Sequence, residues 1–161
     1  MQIVPDAPVP DWESFEFALE CADPELSSYY DIETGQVYLT GPFEDDPGER
    51  EMIDADPQRY RKIPHLPPNE RYGWMQQFAQ DEVSDPDLQD QLLRALVGRG
   101  CFRRFKDVLL SVPDERERWF RYSDRLLKQA IAQWFVEENL PVGVRPPWWP
   151  ESGEAGAEAA E

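Results

Sequence analysis

One uninterrupted amphipathic run near the end of the chain constrains the fold more than any other feature of the sequence. It begins at Pro113 as PDERERWFRYSDRLLKQAIAQWFVEENL and continues to about residue 138. Its first turn is acidic, as the dipole of a helix favours at that end. Apolar side chains cover about half of the surface of such a helix: Trp119, Tyr122, Leu126, Leu127, Ala130, Ile131 and Trp134. The run therefore predicts one long, deeply buried helix.

Three shorter runs with helical spacing precede it. The first, NERYGWMQQFAQ, has Asn69 as a possible cap; the second has Pro86 near its first position and ends at Gly98 or Gly100; the third ends before Pro113. Their apolar faces are, in chain order, Tyr72, Met75, Phe78 and Ala79; Leu88, Leu92 and Leu96; and Cys101, Phe102, Phe105, Val108, Leu109 and Val112. We therefore expect four helices in succession in this half of the chain.

The N-terminal part predicts a helix followed by a hairpin. Asp11 is a good N-cap for a helix over residues 11–22, with Trp12, Phe15 and Leu19 on one face. In SSYYDIETGQVYLT, an even-length loop around Thr34-Gly35 pairs two strands. That register pairs Ile32 with Val37 and Tyr30 with Leu39 on a buried face, and leaves Asp31 and Tyr38 on the other. A slip by one residue would exchange the two faces.

Two further segments complete the predicted architecture. The acidic, proline-containing segment 41–58 lacks periodicity and predicts a loop, and RYRKIP (59–64) predicts a third, edge strand that Pro64 stops. The expected fold is α+β: an N-terminal helix, a small antiparallel sheet of two or three strands, then about four helices including one long C-terminal helix. We expect an extended, poorly ordered segment over 1–10, a single domain over 11–140, and a Pro/Trp segment with a disordered acidic tail over 141–161.

Composition narrows the class of protein. The 161 residues suffice for a core without disulfides or metals, and Cys21 and Cys101 predict reduced, buried thiols. No secretory signal opens the chain, and no run approaches the ~18 apolar residues of a membrane span, so we expect a soluble, cytoplasmic protein. The formal net charge is -17, which disfavours non-specific attraction to DNA or anionic membranes. The window 94–128 nevertheless carries ten basic and five acidic residues.

Seven of those basic residues form two stripes, each separate from the apolar face of its helix. We call them the α5 stripe and the α6 stripe, where α5 denotes the third of the shorter runs, which ends before Pro113, and α6 denotes the long run that begins at Pro113. The α5 stripe is Arg99, Arg103 and Lys106, and the α6 stripe is Arg118, Arg121, Arg125 and Lys128. They predict either a solvated surface paired with the chain's own carboxylates, or a surface that binds anions or nucleic acid. Leu110 shares the side of the α5 stripe, which favours a contact there. Arg104 lies at the boundary of the two faces, where a carboxylate is its expected partner.

Other candidate sites carry weaker signals. His65, in IPHLPP, predicts a turn residue, and no nucleophile elbow or phosphate loop is present. One acidic cluster lacks the ligand spacing of a calcium loop and predicts a solvated loop: Glu44, Asp45, Asp46, Glu49, Glu51, Asp54 and Asp56. We expect no metal and no cofactor. Trp148 and Trp149 either fold back onto apolar surface or dock a partner.

The order of these motifs resembles a bacterial uncharacterised protein family, the one numbered 0158. The resemblance covers roughly residues 12–140 and is most specific at G-R-G-x-F-R-R-F-K-D, residues 98–107, where Cys101 stands in place of an expected alanine. The acidic segment and the tail lie outside it. The resemblance implies a small bacterial α+β domain and implies no activity.

These observations favour a non-enzymatic function. We predict an accessory or regulatory module that binds another macromolecule, a protein rather than nucleic acid and not a membrane, through its basic and aromatic helical face. Two alternatives stay open: a nucleic-acid-binding protein that uses the same basic stripes, and a hydrolase or transferase whose site has no recognised motif.

Overall fold

The computed structural model describes residues 2–42 and 47–149 and has the predicted α+β architecture. An N-terminal helix precedes a three-stranded antiparallel sheet, and four helices follow the last strand. In chain order the elements are α1 (Trp12–Glu20), β1 (Ser27–Asp31), β2 (Val37–Thr40), α2 (Pro47–Ala55), β3 (Tyr60–Ile63), α3 (Pro68–Gln77), α4 (Pro86–Ala95), α5 (Cys101–Leu110) and α6 (Pro113–Glu137). A π-helical turn, Phe78–Glu82, continues α3. The acidic tail, for which the sequence predicts disorder, lies outside the described residues.

The chain divides into two compact units. Unit 1 comprises Met1–Leu66 and Leu127–Glu161, and unit 2 comprises Pro67–Leu126. Unit 1 therefore contains the sheet, α1, α2 and the second part of α6. Unit 2 contains α3, α4, α5 and the first part of α6.

The sheet of unit 1 has the strand order β2-β1-β3. β3 lies at an edge, as the sequence predicts, but the predicted hairpin register is wrong by two residues. Tyr30 pairs with Val37, and Ser28 pairs with Leu39. Because the shift is even, the division of side chains between the two faces is kept. The face is less buried than predicted, since Leu39 is 40% exposed.

Asp31 explains the shifted register. Its carboxylate accepts hydrogen bonds from the backbone N–H of Glu33 and from the hydroxyl of Thr34, which ties the chain into a turn directly after β1. Gly35 closes this turn at φ +80°, a conformation that favours glycine. The loop is consequently longer than a two-residue turn, and β2 begins only at Val37.

Aromatic side chains form the core of unit 1. Asp11 caps α1 as predicted, and its side chain accepts from the backbone N–H of Ser14. Phe15 on α1 and Tyr30 on β1 lie in ring contact with each other, 6.0 Å apart, and both contact Trp134 of α6. Burying such rings provides most of the apolar area of a small core.

One prediction for unit 1 needs correction, and one segment has contacts that the sequence does not indicate. The segment 41–58 is not a loop throughout, since α2 occupies residues 47–55 and buries Ile53. The residues before Pro10 form backbone hydrogen bonds with the segment after α6. Val4 donates a backbone hydrogen bond to Val142, 3.0 Å, and Gly143 donates one to Pro8, 3.0 Å. The missing side chain of Gly143 leaves room for this segment, because a Cβ there would clash with the backbone of Ala7.

The core of unit 2 confirms the predicted helical faces. Met75, Phe78 and Ala79 are buried with the three leucines of the α4 run, and Phe105 and Leu109 supply the buried face of α5. α3 begins after Pro67 rather than at Asn69, and α4 is capped by Asp85. Both cysteines are free, but they are half-buried rather than buried.

Candidate functional site

The α5 stripe lies on the exposed surface of unit 2. Arg99, Arg103 and Lys106 are all exposed, and Leu110, which shares their side of the helix, is exposed as well. Arg103 has a loose ion pair with Asp107, 4.0 Å. The α5 stripe is thus open to solvent along its length.

Three members of the α6 stripe line one hollow in unit 2. Arg118, Arg121 and Arg125 surround a concavity of about 310 Å³ whose remaining walls are Phe78, Glu82 and Tyr122. The arrangement follows from helical spacing, because positions three and four apart on α6 share one side. The π-helical turn supplies Phe78 and Glu82 from the opposite wall. We call this concavity the arginine hollow.

Each arginine of the hollow already interacts with a neighbouring side chain, and each of these interactions is weak. Arg118 lies 3.0 Å from Glu115 and 3.5 Å from Glu82, and Arg121 lies 3.2 Å from Glu117. The guanidinium of Arg125 stacks over the ring of Tyr122 at 5.4 Å from the ring centroid, within the ~6 Å reach of a cation–π contact. Exposed ion pairs of this kind contribute only ~0–1 kcal/mol each. The arginines can therefore exchange their partners at little cost.

Aromatic rings fix the floor of the hollow. Phe78 is buried and lies 5.4 Å from Trp119 and 5.4 Å from Tyr122. Burial, and then the nearby carboxylate of Glu82, raise the pKa of Tyr122 against the opposing charge of Arg125. The phenol therefore stays protonated at neutral pH and can donate a hydrogen bond. The hollow combines an apolar floor with a cationic rim, a combination suited to anions that carry apolar groups.

The other predicted site residues lie elsewhere. The α5 stripe does not line the arginine hollow. Lys128 belongs to unit 1, where its ammonium lies 4.0 Å from Glu16. The structure thus brings together three of the seven basic residues that the sequence indicates. Glu82 was not singled out by sequence, although the spacing of Arg118, Tyr122 and Arg125 along α6 is a usable signal for a shared face.

The side chain of Arg104 binds backbone carbonyl groups instead of a carboxylate. Its guanidinium donates to the backbone carbonyl of Ala95 at 3.2 Å, and to those of Val97 and Arg99. These carbonyls lie at the end of α4 and in the glycine-containing turn that follows, where helical carbonyl groups lack partners. The expectation of a carboxylate partner for Arg104 is therefore wrong.

Trp148 and Trp149 pack inside unit 1. Trp148 lies 4.9 Å from Trp12, and Trp149 lies 6.2 Å from Trp12 and 6.2 Å from Phe135. Trp149 is 8% exposed, whereas Trp148 is half-buried. This packing corresponds to the first of the two alternatives for these residues, and docking by the exposed part of Trp148 stays a prediction.

The acidic cluster and His65 add no site in the described residues. Within 2–42 and 47–149, no group of three or more histidine, cysteine, aspartate or glutamate side chains is placed to hold a metal ion. Glu44, Asp45 and Asp46 of the acidic cluster lie outside these ranges. His65 is half-buried in the segment that follows β3.

Charge is divided unequally between the units. Unit 2 contains ten basic and eleven acidic residues, whereas unit 1 contains six basic and twenty-two acidic residues. Unit 2 is therefore nearly neutral within a strongly acidic chain. Taken by itself, unit 2 therefore repels an anionic group less than unit 1 does.

Comparison with known proteins identifies the family. None of the described helices has the length and apolar content required to cross a membrane. No solved structure matches the chain. A UPF0158 protein of Pseudomonas aeruginosa is 28% identical over 135 residues, which cover 84% of this chain and 86% of that protein. Residues 13–146 match the family described as Uncharacterised protein family (UPF0158). The chain belongs to the UPF0158 family.

Proposed function

We propose that this protein is a non-enzymatic accessory or regulatory module whose arginine hollow binds an acidic segment of a partner protein. The observation that carries the proposal is the convergence of Arg118, Arg121 and Arg125 around an aromatic floor. Guanidinium groups are planar and bind carboxylates through two parallel hydrogen bonds. An acidic segment with one apolar or aromatic residue matches both the rim and the floor.

The ion pairs within the hollow support exchange with a partner. Glu117 lies on the same helix as the arginines, and its pair with Arg121 is exposed and weak. A partner carboxylate can take the place of Glu117 without burying an unpaired charge. The internal carboxylates also keep the arginines oriented, so less side-chain freedom is lost on binding.

The α5 stripe is proposed as a secondary basic surface for the same partner. Arg99, Arg103 and Lys106 are exposed, and Leu110 beside them offers apolar contact. Exposed charges of this kind increase the association rate more than the affinity. We expect the α5 stripe to steer an acidic partner and the arginine hollow to hold it.

Nucleic acid is the alternative ligand for the same residues. Phosphates would meet Arg118, Arg121 and Arg125, but they would also meet Glu82, Glu115 and Glu117 beside them. The net charge of -17 opposes a polyanion more than it opposes a short acidic segment. The smaller total charge of a short acidic segment therefore favours the peptide.

Fluorescence anisotropy with two labelled ligands tests the proposal. One ligand is an acidic peptide with a central phenylalanine, and the other is a single-stranded oligonucleotide of similar length. We expect the peptide to bind, its affinity to fall as salt is raised, and R118Q/R121Q/R125Q to weaken it more than R99Q/R103Q/K106Q does. Tighter binding of the oligonucleotide, with a steep salt dependence, would favour the nucleic-acid alternative. If neither ligand binds, the basic stripes are solvated surface, and the proposal is wrong.

A further inference from the structure

A second hollow lies in unit 1, between α1 and the edge strand β2. Its volume is about 320 Å³, close to the lower end of the ~300–1,000 Å³ range of ligand pockets. α1 contributes Glu13, Phe17 and Ala18, and the sheet contributes Ser28, Val37 and Leu39. We call it the edge groove. Its size suits one large side chain rather than a nucleotide or a cofactor.

The mouth of the edge groove is apolar and exposed. Phe17 is 61% exposed and Leu39 is 40% exposed, on either side of the opening. Single exposed apolar residues are ordinary on a protein surface, but two that flank one concavity indicate a contact site. Glu13 adds a negative charge at the same opening.

The floor contains a polar group without a partner. Ser28 is fully buried, and its hydroxyl has no hydrogen-bond partner among the described residues. Buried hydroxyl groups in folded proteins nearly always have one. A ligand that enters the groove with a hydroxyl at its tip would supply this partner.

The backbone beside the groove is also available for pairing. β2 is an edge strand, and its described partner is β1 alone. Asp31 donates a backbone hydrogen bond to Gln36, and bonded pairs in an antiparallel ladder recur at every second residue. The N–H groups of Val37 and Leu39 therefore point to the free edge. These are the two β2 residues whose side chains line the groove.

We infer that the edge groove binds an extended, basic segment of a partner protein, which adds as a strand to β2 and inserts a tyrosine side chain between Phe17 and Leu39. In strand addition, main-chain hydrogen bonds to the edge supply affinity and pockets for alternate side chains supply specificity. The tyrosine ring fills the apolar mouth, and its hydroxyl reaches the hydroxyl of Ser28. A basic residue of the segment faces Glu13.

The acidic charge of unit 1 favours a basic segment of a partner protein over a second copy of the chain. The described residues of unit 1 include six basic and fifteen acidic ones, so two copies that meet at β2 repel each other. A lysine- or arginine-containing segment is attracted instead. This site is independent of the arginine hollow, which lies in unit 2 and is proposed for an acidic ligand.

The test uses the full chain and a synthetic extended peptide with a central tyrosine, valine two positions to each side, and lysine at both ends. Calorimetry should detect binding, and Phe17→Ala should weaken it about tenfold, as removal of a central aromatic contact does. Phe120→Ala is the matched control, because Phe120 is 49% exposed and lies in unit 2. It should leave the affinity unchanged. Equal loss in both variants would overturn the proposal.

Two further measurements test the details. A peptide with phenylalanine in place of tyrosine should bind wild-type protein more weakly than the tyrosine peptide, and Ser28→Ala should abolish that preference. Binding should also slow the amide hydrogen exchange of Val37 and Leu39, which face the free edge. Unchanged exchange at both amides would exclude strand addition, and dimerisation of the chain without peptide binding would show the second copy to be the occupant. The proposal on the arginine hollow is unaffected by either outcome.

Discussion

The carboxylate of Asp31 and the guanidinium of Arg59 form a bidentate ion pair in which both N–O distances are 3.0 Å. The pair joins the turn after β1 to the residue that precedes β3, so one interaction connects the hairpin to the edge strand. Asp31 is 0% exposed, and it accepts further hydrogen bonds from Glu33 and Thr34. A buried carboxylate is tolerated in a small core only when its acceptor sites are occupied in this way.

The pair at Asp31 predicts a specific pH dependence of stability. Burial alone would raise the pKa of Asp31, but the hydrogen bonds from Arg59, Glu33 and Thr34 outweigh it and lower the pKa. A lowered pKa in the folded state means that the stabilisation is complete above the unfolded pKa, about 3.9, and is lost as pH falls through the folded pKa. Asp31→Asn should therefore cost about 2–3 kcal/mol at neutral pH. Urea denaturation should show this difference shrinking as pH is lowered below about 4. A difference that stays constant to low pH would contradict the assignment.

Arg104 should stabilise unit 2, whereas its neighbour Arg103 should not. Arg104 donates to three backbone carbonyls at the end of α4, and Arg103 has only a loose pair with Asp107. We expect Arg104→Gln to reduce the free energy of unfolding by about 1–2 kcal/mol, the value of one or two net hydrogen bonds. Arg103→Gln makes the same charge change and should stay within about 0.5 kcal/mol. Chemical denaturation of the two variants measures both losses, and equal losses of unfolding free energy would contradict a structural role for Arg104.

Two phenylalanines of α5 should differ in their contribution to stability. Phe105 is 0% exposed and lies 5.1 Å from Trp119, so Phe105→Ala should cost ~3–5 kcal/mol. The apolar spacing predicts the same cost for Phe102, but Phe102 is only half-buried and should cost less, about 1–3 kcal/mol. Thermal and urea unfolding measure the loss of stability in both variants. A larger loss for Phe102→Ala than for Phe105→Ala would show that the assigned face of α5 is rotated.

Trp149 should contribute more to stability than Trp148. Trp149 is nearly buried against Trp12 and Phe135, whereas Trp148 is half-buried. We expect Trp149→Ala to cost ~3–5 kcal/mol, as truncation of a buried ring does. Trp148→Ala should cost less than half of that. If neither change affects the melting temperature while binding of a partner is lost, both rings are docking residues rather than core residues.

The helices were predictable because their apolar side chains recur at helical spacing over many residues. The faces of α3, α4 and α5 and the length of α6 follow from that period, and Asp11 lies at the N-cap where the sequence predicts it. α2 was missed because its sequence, PGEREMIDA, is acidic, begins with proline and glycine, and offers few apolar residues, of which Ile53 is buried. The hairpin register was missed because the carboxylate of Asp31 lengthens the turn, an effect that apolar alternation does not reveal.

The candidate site was only partly predictable for a similar reason. The α6 stripe follows from helical spacing, but the wall that Glu82 and Phe78 contribute depends on a π-helical turn without a sequence signature. Arg104 looks like one more basic residue of α5. Its role depends on carbonyl groups several residues away in the chain, at the end of α4.

The most direct test of the proposed function compares two variants that change the net charge equally. R118Q/R121Q/R125Q removes the three arginines of the hollow, and R50Q/K62Q/R94Q removes three exposed charges elsewhere. Calorimetry with the acidic peptide should show about tenfold weaker binding for the first variant, since three exposed pairs at about 0.5 kcal/mol each amount to about 1.5 kcal/mol. The second variant should bind like the wild type. Equal weakening by both variants would show that net charge, and not the arginine hollow, determines binding, and would contradict the proposed function.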